Sequence, residues 1–181
     1  MPQVLAYSHK SCAEKLKGAA NLLTRKLSDK KAGGYDHKSW ITSVHPFPPK
    51  PADPEVFTLH VYRSNWFNES RQGIHFETFM GSKEWKKQQI QIAMHIFHIE
   101  NIPGTSLKRR AVAVPFVDEI YELVSSWDGY TFRTGKYGAH PFTKHLLFEI
   151  ETFETQLSSE LLKLCLELGP KMDEALKSAL S

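Results

Sequence analysis

The segment Gln89-Ile90-Gln91-Ile92-Ala93-Met94-His95-Ile96-Phe97-His98 decides how this chain is read. Ile90, Ile92, Met94 and Ile96 recur at every second position, the period with which strand side chains alternate between faces. One face is therefore aliphatic, and the other carries Gln89, Gln91, Ala93, His95 and Phe97. A helical stripe through Trp85, Ile92, Ala93, Ile96 and Phe97 is the competing reading, and it would bring His95 and His98 together. The uninterrupted alternation favours the strand, which sends His98 to the face opposite His95.

Two segments upstream repeat the pattern. In Gln72 to Met80, Ile74, Phe76 and Met80 oppose His75, Glu77 and Phe79; in Phe57 to Arg63, Phe57, Leu59 and Val61 oppose Thr58, His60 and Tyr62. Each strand thus pairs an apolar face with one that bears a histidine, as expected of an antiparallel sheet covered on one side. Trp40 to Val44 and Tyr130 to Arg133 are candidate further strands.

Helical periodicity flanks this sheet. Ser11 with Glu14 forms a capping-box pattern ahead of a stripe through Cys12, Leu16, Ala19, Leu23 and Leu27, ending before Gly33-Gly34. A second helix is expected from Pro115 to Trp127, with proline in its first turn. The last runs through Ile150, Phe153, Leu157, Leu161, Leu164 and Leu168 and should stop at Gly169-Pro170, followed by a short partner from Lys171 to Leu180. The proline-rich stretch from Gly33 to Pro54 reads as a long connection. The fold class is α+β: an antiparallel sheet of three to five strands with amphipathic helices packed on one face.

At 181 residues the chain fits a single globular domain spanning 1–181. Its 41% apolar and 24% charged content excludes intrinsic disorder. No apolar run reaches the ~20 residues of a membrane span, and the stretch from Met1 to Ser8 lacks the basic start and apolar core of a signal peptide. The expectation is a cytoplasmic protein with no membrane association, in which Cys12 and Cys165 are buried free thiols. Residues 1–40 carry eight Lys/Arg against three Asp/Glu, whereas residues 147–181 carry three against seven. Opposite charge at the two ends suits neighbouring helices, and nucleic acid is an unlikely partner because no basic stretch is continuous.

The face bearing His60, Tyr62, His75, Glu77 and His95 is the candidate site. His75 with Glu77 is a candidate acid–base pair, since a carboxylate two residues away on one strand face can orient an imidazole. His60, His75, Glu77 and His95 also form a possible ligand set for zinc or non-haem iron, although one histidine per strand is no diagnostic motif. A loop from Arg133 to His145 sets Arg133, Lys136, Lys144, His140 and His145 around Gly135 and Gly138, with Arg133, Lys136 and Lys144 as charge partners for an anion. Asn65, Trp66, Phe67 and Asn68 are placed to line a pocket mouth.

Helix, three strands, helix, strand is also the element order of restriction-type nucleases. Only Glu84-Trp85-Lys86, in an expected turn, approaches their metal-binding pattern. The expected function is binding of a small anionic ligand on the histidine and aromatic face. The alternatives are a metal-dependent enzyme, hydrolase or nuclease-like, and an interaction protein forming a homodimer through the C-terminal helix. Neither a cofactor nor a reaction is assigned by these residues.

Overall fold

A computed structural model of the chain describes residues 7–29, 39–47 and 56–181. Most of the proline-rich connection expected between Gly33 and Pro54 lies outside them. The elements run α1 (His9–Ser28), β1 (Trp40–Pro46), β2 (Phe57–Arg63), β3 (Ile74–Met80), α2 (Ser82–Lys87), β4 (Gln89–Ile96), α3 (Arg110–Ser125), β5 (Tyr130–Phe132), β6 (Phe142–Leu147) and α4 (Phe153–Leu180). The fold is α+β, and the six strands form one antiparallel sheet in the order β1-β2-β3-β4-β6-β5.

The sheet exceeds the expected three to five strands because β6 occupies what composition presents as a loop. Its alternation is disguised by Lys144, which lies opposite Ile92 on the helix-covered face. Burial there is tolerated because Lys144 Nζ sits 3.0 Å from Glu160 Oε2 on α4 and over the Tyr130 ring.

Leu59, Val61, Ile74, Phe76, Ile92, Met94 and Ile96 form the apolar side of the sheet, all fully buried. Against it pack α1 and α4, which lie together, with α3 beside α4. Cys12 and Cys165 are buried free thiols in this layer, and burial pushes the Cys12 thiol up to about 11. No helix among the described residues is long and apolar enough to cross a membrane.

Helix boundaries depart from expectation where tertiary burial overrides local signals. Ser8 rather than Ser11 caps α1, its hydroxyl accepting from the Ser11 N–H at 2.9 Å. Glu84 closes the start of α2 by accepting from the Gly81 N–H, so Glu84-Trp85-Lys86 is helical rather than a turn. Helix α3 begins five residues before Pro115, held by burial of Val112, Ala113 and Phe116. Helix α4 passes through Pro170 instead of stopping there. The proline forfeits one backbone bond, but Leu168, Met172, Ala175 and Leu176 continue the stripe in phase and stay buried.

The α4 stripe is thus consumed by the chain's own core. Leu161→Ala is expected to lower unfolding free energy by about 2–5 kcal/mol in urea denaturation. Leu147→Ala, at an exposed position on the other face, should change it by less than about 0.5 kcal/mol.

Candidate functional site

Two directly opposed strand pairs build the centre of the second sheet face: His60 faces Glu77 across β2 and β3, and His75 faces His95 across β3 and β4. All four residues are buried, at 9% exposure or less. Ala93, opposite Glu77 on its other flank, contributes only a methyl group.

The turn after β2 fixes one imidazole. Asp173 on α4 accepts from Trp66 Nε1 at 2.7 Å and lies 3.2 Å from Arg63 Nε, pinning both ends of a short 3-10 turn. The chain then bends through Phe67 and Arg71, both in the left-handed region at φ 53° and 62°. Gly73 passes so close beneath that a Cβ there would collide with the Phe67 carbonyl oxygen.

This approach delivers the Gly73 N–H to Asn68 Oδ1 at 3.1 Å, and the same oxygen lies 2.8 Å from His75 Nδ1. A backbone N–H only donates, which identifies Oδ1 as the acceptor and requires His75 to carry its proton on Nδ1. The Nε2 of a neutral His75 is consequently bare. That atom faces His95 Nδ1 at 3.0 Å and Glu77 Oε2 at 3.4 Å.

Three further histidines complete the cluster, and sequence reasoning placed none of them in it. His140 comes from the loop before β6, tied to the end of β4 by Ile96 N–H to Ala139 O at 2.8 Å. Its Nε2 lies 3.3 Å from Glu77 Oε1, and its ring stacks on His95 at 4.4 Å. His45 on β1 sets its ring edge-on to His60 at 4.7 Å; its position two residues beyond Ser43, which pairs with His60, was the available signal.

His98 overturns the expectation that it points away from His95. Phe97 adopts φ 48° as its N–H and that of His98 bond to Gly73 and Gln72 carbonyls. Alternation is broken there, and the His98 ring meets His95 edge-on at 3.9 Å.

Other expected site residues lie elsewhere. Lys144 is across the sheet with Glu160. Lys136 sits over the Tyr121 ring, and Arg133 is exposed at the end of β5. Tyr62 is on the histidine face but one step beyond His60, opposite Ile41. Trp66 is buried beneath its turn instead of lining a mouth.

Electrostatics set the protonation states. Burial, reinforced by neighbouring imidazoles, holds His60 and His95 at about 2, and burial likewise lowers His75. Burial alone would raise Glu77, but the imidazoles around it, His140 and His75 foremost, outweigh burial and keep the carboxyl below its ordinary range. Among the described residues, every ion-pair partner of Glu77 is an imidazole.

The buried anion therefore faces the neutral rings of His60 and His75, the latter through a lone pair. Ligand atoms of His60, His75 and Glu77 lie within 4.8 Å of one another, as do those of Glu77, His95 and His140. Nitrogen-to-oxygen distances of 3.3, 3.4 and 3.7 Å are long for hydrogen bonds. They bracket the ~3.4 Å expected between two ligands ~2.1 Å from a tetrahedral ion. Compared with known protein families, curated proteins and solved structures, the chain matches none.

Histidines kept neutral by burial make the fold acid-sensitive. Below the ordinary value of 6.5 an unfolded ring takes a proton that the folded ring refuses, so acid favours the unfolded chain. His60 and His95 should each remove up to about 1.4 kcal/mol of stability per pH unit below 6.5, and His75 adds a loss of the same sign. Glu77, lowered in the fold, adds a further loss below 4.5. Chelator-treated protein followed by circular dichroism should denature between about pH 6 and pH 4. A fold intact at pH 3 would contradict the burial of neutral imidazoles.

Proposed function

We propose that this protein is a metal-dependent enzyme of hydrolytic type, holding a divalent transition-metal ion, zinc or non-haem iron, through His60, His75 and Glu77. The observation that carries this reading is the bare His75 Nε2, fixed by Asn68, facing the buried Glu77 carboxylate at 3.4 Å. Two electron-pair donors at that distance in a buried site can take a cation between them, in place of the proton that His95 Nδ1 can offer His75 Nε2 at 3.0 Å. An amide that orients a ligating imidazole through its other nitrogen is a common outer partner of metal-bound histidine.

Two neutral ligands and one carboxylate leave a net positive ion with open positions, suited to acidifying a bound water or polarising a substrate oxygen. In this reading Glu77 is the anionic ligand and Asn68 a positioning residue. The buried free thiols Cys12 and Cys165 support a reducing, cytoplasmic setting.

Purified protein should carry stoichiometric zinc or iron by elemental analysis, and chelation should lower its melting temperature by several degrees. Glu77→Gln, which keeps the shape and removes the charge, should weaken binding by at least about 100-fold, and Asn68→Ala by about 10- to 100-fold. Protein without bound metal, indifferent to chelators and to added zinc or iron, would reject the reading.

Binding of a small anion on the same sheet face has its own support in a cleft of about 290 Å³ beside α2, where Lys83, Lys87 and His145 lie near Gln89 and Gln91. Phosphate or a dicarboxylate should raise the melting temperature, and Lys83→Ala with Lys87→Ala should abolish the effect. No response across a panel of small anions would remove this reading.

A further inference from the structure

We infer that Glu77 bridges two metal ions, the second held by His95 and His140 on the side of the carboxylate away from His60. The inference rests on the metal reading above and extends it from one ion to a pair.

The two oxygens of Glu77 have separate surroundings. Oε2 lies 3.4 Å from His75 Nε2 and 3.7 Å from His60 Nε2; Oε1 lies 3.3 Å from His140 Nε2. The histidines sort accordingly into two parallel stacks, His60 on His75 at 3.8 Å and His95 on His140 at 4.4 Å. Glu77 with each stack makes a set of converging ligand atoms. A carboxylate with one oxygen toward each of two imidazole pairs is the arrangement that bridged ions about 3.5–4 Å apart require.

A second observation points to a ligand independently of the grouping. His95 is fully buried, yet its Nε2 makes no hydrogen bond, and the same holds for Nδ1 of the buried His60. Unpaired ring nitrogens at this depth cost free energy unless something binds there.

Parallel rings aim their lone pairs side by side, so seating an ion requires one ring of each stack to tilt. The anchoring of each ring says which: His75 is held by Asn68 and His95 is fully buried on β4, whereas His60 has a free Nδ1 and His140 rides on a loop. His60 and His140 are therefore the rings that adjust.

The outer position is also the accessible one, since the His140 side chain is 30% exposed while His75 is fully buried. Two dications against one carboxylate and neutral imidazoles leave an excess of positive charge at this mouth. The ligand class that matches it is a phosphate-type anion.

The test is metal stoichiometry on the full chain, titrated with cobalt(II) or zinc, desalted and counted by elemental analysis. Wild type should saturate at two ions per chain, and His140→Ala and His60→Ala at one each. Circular dichroism melts should show His140→Ala, altered at a partly exposed side chain, still folded. Saturation of wild type at one ion, with His140→Ala unchanged, would overturn the bridged pair while leaving the single centre. Failure of wild type to bind any metal would instead overturn the underlying reading. Inorganic phosphate should raise the melting temperature of the two-ion form; no shift, or an equal shift without metal, overturns the anion assignment.

Discussion

A carboxylate buried among uncharged rings is the constraint around which this molecule is organised. Glu77 sits in the middle strand of the β2-β3-β4 meander, and an isolated carboxylate removed from water costs several kcal/mol unless it is compensated. Its surroundings supply imidazoles, which donate a proton or a lone pair according to tautomer, and burial keeps those of His60 and His75 neutral. The apolar opposite side of the same strands, packed under α1 and α4, supplies the burial that makes this arrangement tolerable. Stability on one face is thereby committed to holding a costly group on the other.

Orientation of the cluster is set by a relay of ordinary contacts. Asp173 on α4 holds Trp66 and Arg63, and the turn they pin carries Asn68. Gly73 brings its N–H under Asn68, whose oxygen decides which nitrogen of His75 bears the proton. Phe67, Arg71 and Phe97 adopt left-handed backbone along this path, and such strain persists only where its surroundings overdetermine it.

Much of the fold was legible because β2, β3 and β4 follow strict alternation, which also put His60, His75, Glu77 and His95 on one face. Alternation says nothing of convergence, which depends on register, and register here follows from the pairing of His60 with Glu77 and of His75 with His95. His140 was legible only as part of an anion-binding loop, because a loop has no periodicity to place it on the histidine face, and His98 was misplaced because one left-handed residue, Phe97, resets the phase. Strand β6 was missed because Lys144 breaks its pattern, an exception permitted by Glu160 more than a dozen residues away in sequence. Pro170 misled for the opposite reason: a strong local stop signal was outweighed by continuing burial on both sides of it.

The position of Asp173 has a consequence for the order of assembly. The histidines of the cluster lie between His45 and His140, but the residue that anchors the Asn68 turn follows them, in the part of α4 beyond Pro170. A chain emerging from the ribosome with its N-terminus leading can pair β2 with β3 long before Asp173 appears. Until then Trp66 rests on Trp40 and Phe76, without the carboxylate that accepts from its Nε1. The turn that carries Asn68 gains its last anchor only when the final helix docks, so a partly made chain displays its histidines before that anchor is in place.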